Sequence, residues 1–241
     1  AFLQSFINQE NNNALDPTSF LMAGHFEKDT SSTSISNLRH LVGAMDTALT
    51  PVIESIISAG KTPILIGGGQ NNAYPAMKGL YQASGQPLSM INFDAHADFG
   101  GLEGRHSGNA FSYARRDGFL EEYWVVGLSE GYTSQQILDK LDAWPDAHVV
   151  SYENMYVQRQ LDLSLVLERL SVLPDVKGHL MGLEIDMDVV QGFPSSDMNS
   201  VGMPLADLLH SVHFLARKTK PRYFHISEAA PALANDGGRI V

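Results

Sequence analysis

The stretch Ser89-Met-Ile-Asn-Phe-Asp94-Ala-His96-Ala-Asp98 carries most of the information about the fold. It begins as an apolar run typical of a buried strand and ends in two carboxylates that flank an imidazole. Side chains alternate between the two faces of a strand, so Asp94, His96 and Asp98 are predicted to point the same way. Two oxygen ligands and one nitrogen ligand suit a divalent metal, especially Mn, Fe or Zn. Taken alone, the pattern also fits a strand-to-loop corner with solvated acids.

Composition places the chain among globular proteins. Its 241 residues are 44% hydrophobic and 18% charged, which allows a sizeable core and argues against disorder. The net charge of −11 argues against binding to nucleic acid or to an anionic membrane. The absence of cysteine excludes disulfides, thiolate metal sites and a Cys nucleophile. No apolar run approaches the length of about 18 residues that a membrane helix needs, and no signal peptide is evident, which favours the cytoplasm.

Strand and helix patterns alternate along the chain. Near-continuous apolar strands that alternate with helices predict a parallel sheet covered on both faces, in one domain over residues 1–241. Pro51 is predicted to kink or split the second helix. The predicted strands are 20–26, 61–66, 88–93, 123–128, 148–151, 180–185 and 223–227, and the predicted helices are 1–9, 37–59, 73–84, 134–141, 164–173 and 205–218.

Four of these strands end in polar side chains. In open parallel sheets, sites lie outside the carboxyl ends of the strands, so residues that follow several strands are expected to meet at one edge. This coincidence is more informative than any single motif. The residues concerned are Gln70 after the strand 61–66, Asp94, His96 and Asp98 after 88–93, Asp186 and Asp188 after 180–185, and Glu228 after 223–227.

The segment Glu184-Ile-Asp186-Met-Asp188 repeats the logic of the first motif. Three carboxylates at alternate positions share one face if the strand persists, and without cations they would repel one another at low dielectric. An acidic loop rim is the alternative interpretation of this segment alone. Together with Asp94, His96 and Asp98, a two-metal cluster is the better account, with ions about 3.5–4 Å apart sharing bridging carboxylates.

The neighbouring loops contain further candidates. Gly67-Gly68-Gly69 lacks the following Lys-Ser/Thr of a P-loop and is better explained by a tight turn at a crowded site. His106, on the loop after Asp98, is a candidate proton shuttle, although a surface histidine is more often incidental. Nearby arginines are candidates for a substrate carboxylate, with simple surface exposure as the more common situation; they are Arg105, Arg115 and Arg116.

Five strings together resemble the ureohydrolase family (arginase, agmatinase, formimidoylglutamase), in the family's order: 67–75, 92–98, 104–108, 184–188 and 226–231. The Gly-Gly-Gly-Gln-Asn-Asn-Ala-Tyr stretch is most similar to the formimidoylglutamase-like branch. The resemblance implies a three-layer α/β/α sandwich with a mainly parallel sheet of roughly eight strands. It implies hydrolysis of a guanidinium or amidine carbon by a hydroxide that bridges two Mn²⁺ ions. It also implies a domain truncated at both ends, before Ala1 and after Val241.

The resemblance assigns a role to each matching residue. Asp94 and Asp186 match carboxylates that bridge the two ions. His96 and Asp188 match ligands of one ion, and Asp98 matches a ligand of the other. The two remaining matches are catalytic: His106 corresponds to the proton-shuttle histidine, and Glu228 to the acid that pairs with the cationic group of the substrate.

Gln70 departs from the family pattern, which has a histidine ligand at this position. A neutral amide oxygen is a weaker donor than imidazole, so the ion expected to use Gln70, Asp94, Asp98 and Asp186 should bind weakly. We therefore predict one or two Mn²⁺ ions with unequal occupancy. Glu184 is either a compensating ligand or, as we favour, a buried acid behind the ligands.

Three functions remain in competition. The first is an active metal-dependent hydrolase of a linear amidine or guanidino C–N bond, acting on a small formimidoylglutamate- or arginine-like molecule. The alternative, suggested by Gln70, is a catalytically impaired relative with an incomplete metal site and a binding or structural role. A deacetylase-type metal hydrolase is disfavoured by Asp186, Asp188 and Glu228. Because related enzymes often form trimers or hexamers, a homo-oligomer is also expected.

Overall fold

The computed structural model describes residues 5–6, 8–9, 16–26 and 34–234, and the chain divides into two compact units, 1–33 and 34–241. In the first unit, Asp16 caps a single 3-10 turn at Pro17–Ser19, and the rings of Phe6 and Phe20 meet edge to face at 5.7 Å. The helix predicted over residues 1–9 lies mostly outside the described residues. The strand predicted over residues 20–26 is wrong: this stretch forms no regular structure and is exposed. An apolar run needs a hydrogen-bonding partner to become a strand, and this one pairs with no described strand.

The second unit is built on a six-stranded parallel sheet. The parallel α/β architecture is as predicted, whereas the described residues form six strands rather than roughly eight. One reason is that the predicted strand 20–26 does not exist. The strands are β1 Ile64–Ile66, β2 Leu88–Phe93, β3 Leu120–Leu128, β4 Ala147–Ser151, β5 Leu180–Asp186 and β6 Phe224–Ser227. Their order in the sheet is β1-β6-β5-β2-β3-β4.

Helices cover both faces of the sheet. Alternate residues of β2 serve two separate cores: Leu88 and Met90 pack with the first four helices, and Ile91 and Phe93 pack with the last three. The predicted helix 164–173 is divided into two. The helices are α1 Ile35–Ser58, α2 Ala73–Ser84, α3 Ala110–Arg116, α4 Gln135–Asp142, α5 Leu163–Ser171, α6 Leu173–Lys177 and α7 Leu205–Thr219.

Helix α1 is continuous through Pro51, so the predicted split into two helices is wrong. Its N-terminus is fixed by Ser34, whose hydroxyl accepts the Asn37 N–H at 3.2 Å. Judged by length and composition alone, α1 is long and apolar enough to cross a membrane. The sequence pattern predicts no membrane helix here. It packs along α2 and buries one stripe that includes Leu49 and Ile53, as a helix that covers a sheet does.

Gly79 sets the separation of α1 and α2. A Cβ atom at this position would lie 2.7 Å from the Ile53 Cβ and 2.9 Å from the Thr50 carbonyl oxygen. We expect Gly79→Ala to lower the free energy of unfolding by about 1–3 kcal/mol through overpacking. The matched control is Gly43→Ala in α1, where the new Cβ meets nothing within 4 Å and should raise stability by about 0.5–1 kcal/mol. Urea unfolding measures both, and a Gly79→Ala protein as stable as wild type would contradict this packing.

Candidate metal centre

The register of three neighbouring strands brings the acidic motifs together. Phe93 of β2 pairs with Ile185 of β5, which pairs with Ile226 of β6. The residues that follow, Asp94, Asp186 and Ser227, therefore stand side by side at the carboxyl edge of the sheet. The strand order adds β1 beside β6, so Gln70 approaches the same edge.

Asp94, Asp98 and Asp186 form the first ligand cluster. One carboxylate oxygen from each lies within 4.8 Å of the others. Asp94 and Asp186 are buried, and Asp98 is half-buried. Burial raises the pKa of Asp94, and burial together with the neighbouring charge of Asp94 raises the pKa values of Asp98 and Asp186 well above their ordinary range. Without a cation, the surroundings therefore favour the protonated form of these carboxyls over the charged form.

His96, Asp188 and Asp197 form the second cluster, also with ligand atoms within 4.8 Å. The Nδ1 atom of His96 lies 3.5 Å from Asp94 Oδ1 and 4.0 Å from Asp188 Oδ2, and Nε2 lies 2.8 Å from Asp197 Oδ2. The contact with Asp94 raises the pKa of His96 to about 9. Sequence reasoning missed Asp197, because it lies in a loop with no metal-ligand spacing.

Both acidic motifs form the same local turn. Asp94 Oδ1 accepts the His96 N–H at 2.7 Å, and Asp186 Oδ1 accepts the Asp188 N–H at 2.7 Å. Each first aspartate therefore fixes the backbone of the ligand candidate two residues later. Asp98 adopts a φ of 45°, a left-handed conformation uncommon for residues other than glycine and often found at functional sites.

Gln70 is fully buried and its amide is engaged at both ends. Its Nε2 donates to Asn92 Oδ1 at 3.2 Å and to Glu184 Oε2 at 3.4 Å, and its Oε1 accepts the Ser227 hydroxyl. Asn92 in turn donates to Asp94 Oδ2 at 3.0 Å, so the Asn92 side chain connects Gln70 to the first cluster.

Glu184 contacts buried side chains and belongs to neither of the two ligand clusters. Its two oxygens accept the Tyr223 hydroxyl and contact His225 Nδ1, each at 2.6 Å, and all three side chains are buried. These contacts fit the buried-acid interpretation of Glu184 better than the compensating-ligand interpretation.

Glu228 and the glycine run fit against each other. Glu228 Oε1 accepts the Gln70 N–H at 2.7 Å, and a Cβ atom on Gly69 would come within 2.9 Å of the same oxygen. Gly67 and Gly68 both have positive φ angles, 85° and 75°, so the run makes the tight turn predicted for it. Burial raises the pKa of Glu228.

His106 is half-exposed, with Nε2 at 3.1 Å from Glu103 Oε1. Its loop is fastened by Arg105, which is buried rather than exposed: Nε pairs with Asp46 Oδ2 at 2.9 Å and Nη2 donates to the Asn71 carbonyl at 2.8 Å. The guanidinium therefore serves the scaffold and is not offered to a substrate.

The other two arginine candidates are exposed, and each contacts neighbouring side chains. The Arg115 guanidinium lies 4.1 Å from the Trp144 ring centroid, and Arg116 Nε pairs with Asp117 Oδ1 at 2.7 Å. The structure thus gives each of the three arginines a protein partner.

The donor set fits divalent metal ions. Converging carboxylates whose pKa values are raised by burial and by neighbouring charge are stabilised by a cation, and oxygen and imidazole ligands suit Mn²⁺ or Zn²⁺. The first cluster and the second are joined by the contact of His96 with Asp94. Each cluster brings enough ligand atoms together to hold a metal ion.

This protein is a parallel α/β protein with a carboxylate-rich site at the carboxyl ends of its strands. The model of the Arginase family matches residues 19–240, and the chain belongs to that family. The resemblance noted in the sequence is thereby confirmed.

Curated relatives include formimidoylglutamases. That of Klebsiella pneumoniae (strain 342) is 29% identical over 208 residues, which cover 79% of this chain and 61% of the relative. That of Klebsiella aerogenes is 27% identical and is covered over 87% of its length, again with 79% of this chain. The chain therefore spans about 61% of the length of the K. pneumoniae relative.

Solved structures share the fold. Formimidoylglutamase from Bacillus subtilis subsp. subtilis str. 168 superposes with a TM-score of 0.71 at 21% identity, covering 88% of this chain and 65% of that one. Arginase from Bacillus cereus gives 0.70 at 17% identity, covering 83% and 74%. Trypanosoma cruzi formiminoglutamase with Mn²⁺ gives 0.68 at 15% identity, covering 87% and 69%.

The raised pKa values predict that the metal-free protein loses stability as the pH rises. His96 contributes stability that is fully present below its ordinary pKa of 6.5 and is lost as the pH passes about 9. The raised pKa values of Asp98 and Asp186 act with the same sign. In chelator-treated protein, we expect the free energy of unfolding in urea to be about 1–3 kcal/mol lower at pH 9 than at pH 6.5.

His96→Asn is the control for this experiment. It should remove most of the difference between the two pH values, because it removes the group whose pKa lies within that interval. A wild-type protein equally stable at both pH values, or more stable at the higher one, would contradict the electrostatics described for the two clusters.

Proposed function

We propose that this chain is a metal-dependent hydrolase that cleaves the C–N bond of a small linear amidine or guanidino compound, with a formimidoylglutamate-like substrate favoured. The observation that carries the proposal is the convergence of Asp94, Asp98 and Asp186 beside Glu228, in a chain of the Arginase family. The similarity to formimidoylglutamases favours an amidine over a guanidine.

The metal centre would be Mn²⁺ held by residues from two strands. Asp94 and Asp186 would be shared between ions, His96 and Asp188 would complete one position, and Asp98 would serve the other. When bound, the ions supply Lewis acidity that lowers the pKa of water towards neutrality.

Glu228 would bind the cationic nitrogen of the substrate. Its carboxylate is partly buried beside Asp188 and Asp94, whose negative charges raise its pKa further, so a substrate cation would relieve this repulsion. Water then adds to the planar amidine carbon, and the C–N bond to the departing amine breaks.

His106 would supply the proton that the departing amine needs. Its ring is half-exposed and can exchange protons with solvent, and Glu103 Oε1 at 3.1 Å, itself 3.3 Å from Arg39 Nη2, fixes one ring nitrogen. The loop is held from behind by Arg105.

The direct test is turnover by the Mn-loaded protein on a panel of four substrates: formimidoylglutamate, arginine, agmatine and guanidinobutyrate. We expect formimidoylglutamate to be hydrolysed with the release of formamide. Turnover of arginine with the release of urea would keep the reaction type and change the substrate. A protein that binds metal and turns over none of the four would contradict an active hydrolase.

Glu228→Gln should separate substrate binding from metal binding. The amide oxygen can still accept the Gln70 N–H, so the fold is retained, whereas the charge that pairs with the substrate is lost. We expect kcat/KM to fall by about 100-fold, a loss of about 2.7 kcal/mol of transition-state stabilisation. Metal affinity should change by less than about threefold, and an equal loss of metal would place Glu228 among the ligands instead.

A specific observation supports the alternative of a catalytically impaired protein. The Gln70 amide oxygen accepts the Ser227 hydroxyl and its Nε2 donates to Asn92 and Glu184, so the whole group is committed to protein partners. We propose accordingly that the ion position at Asp98 is the weaker of the two. Full occupancy at both positions in stoichiometric Mn²⁺ would contradict this.

Gln70→His tests the origin of the weakness. An imidazole at this position supplies the missing nitrogen ligand, so the weaker Mn²⁺ dissociation constant should fall by about tenfold or more in equilibrium dialysis. Gln70→Ala is the matched control, since it breaks the same hydrogen bonds and adds no ligand. Equal affinities in the two variants would mean that residue 70 does not limit metal binding.

A further inference from the structure

The loop that follows Asp188 folds back and forms hydrogen bonds with Asp188. The Ser196 hydroxyl donates to Asp188 Oδ2 at 2.8 Å, the Asp197 N–H donates to Asp188 Oδ1 at 3.1 Å, and Asn199 Nδ2 donates to the Asp188 carbonyl at 3.1 Å. The Ser196 N–H also donates to the Glu228 carbonyl at 3.1 Å. The backbone of Asp197 is therefore fixed by two residues of the proposed site.

The Asp197 side chain uses this position to reach His96. Its Oδ2 lies 2.8 Å from His96 Nε2, within the usual hydrogen-bond range, although half of the aspartate side chain is exposed. The opposite ring nitrogen, Nδ1, faces Asp94 Oδ1 and Asp188 Oδ2 at 3.5 and 4.0 Å. These distances are long for strong hydrogen bonds and short enough for the three atoms to surround one cation.

We propose that Asp197 is a positioning residue for His96: its carboxylate accepts the Nε2–H and leaves Nδ1 as the nitrogen that faces the metal. This inference rests on the proposed metal centre and adds a residue to it. The hydrogen bond made by one ring nitrogen of a histidine decides which nitrogen is free to bind metal.

The other contacts of the His96 ring leave part of it exposed. About a quarter of the His96 side chain is exposed, and its described aromatic neighbour, Tyr132, lies 6.2 Å away between centroids. A hydrogen bond to Nε2 therefore adds to packing in fixing the orientation of the ring. Because residue 70 is a glutamine, His96 is the single imidazole among the predicted ligands, and its orientation matters correspondingly more.

Three variants test the proposal. Asp197→Ala removes the acceptor, and Asp197→Asn retains an oxygen that can accept the Nε2–H. The matched control is Asp142→Ala, which removes another exposed aspartate, at the end of α4. Thermal melting of the metal-free variants checks that each is folded.

The first measurement does not use metal. Two-bond ¹H–¹⁵N correlation spectra of metal-free protein with ¹⁵N-labelled histidine, at about pH 10, report the tautomer of neutral His96, and His96→Asn assigns its signal. We expect the Nε2–H tautomer in wild type, Asp142→Ala and Asp197→Asn. In Asp197→Ala, the carboxylates that face Nδ1 should draw the proton, and the Nδ1–H form should rise. The same tautomer ratio in wild type and Asp197→Ala would overturn the proposal.

The second measurement is the Zn²⁺ dissociation constant by calorimetry at fixed pH. We expect Asp197→Ala to weaken binding by about tenfold and Asp197→Asn to stay within about threefold of wild type. Unchanged affinity in Asp197→Ala would overturn the positioning role. If wild type binds no Zn²⁺ while the tautomer result holds, the proposed metal centre fails and the contact between Asp197 and His96 stands.

Discussion

The burial of neighbouring carboxylates at the ends of β2 and β5 is the constraint on which the site depends. The register of β2, β5 and β6 places Asp94 and Asp186 side by side, and Asp98 completes a group whose oxygens lie within 4.8 Å. Burial raises the pKa values of all three carboxyls, and neighbouring carboxylates raise those of Asp98 and Asp186 further. Backbone turns at Asp94 and Asp186 hold these carboxylates in place despite the unfavourable free energy of burying them. A cation-binding site requires ligands that are held in this way.

The regular part of the fold was predictable because it is encoded locally. Helix α2 and strand β2 begin and end where the sequence predicts, since Gly85 in a left-handed conformation stops the helix and a fully buried apolar run forms the strand. The stretch 20–26 shows the limit of the same reasoning. Its apolar pattern resembles a strand, but strand formation depends on a partner elsewhere in the chain, which no local pattern reveals.

The residues of the candidate site likewise divide into those that the sequence predicts and those that it does not. Asp94, His96, Asp186 and Asp188 were predictable because strand ends of a parallel sheet meet at one edge. Asp197 was not, because its place beside His96 follows from a returning loop fixed by hydrogen bonds to Asp188. The burial of Arg105 and the commitment of the Gln70 amide were likewise invisible, since both depend on partners distant in sequence.

Anomalous diffraction from crystals grown with Mn²⁺ shows directly whether these carboxylates form a metal centre. We expect an anomalous peak surrounded by His96, Asp94, Asp186 and Asp188, and a weaker peak, or none, beside Asp98. If folded protein fully exposed to Mn²⁺ gives no peak among these residues, they do not form a metal centre.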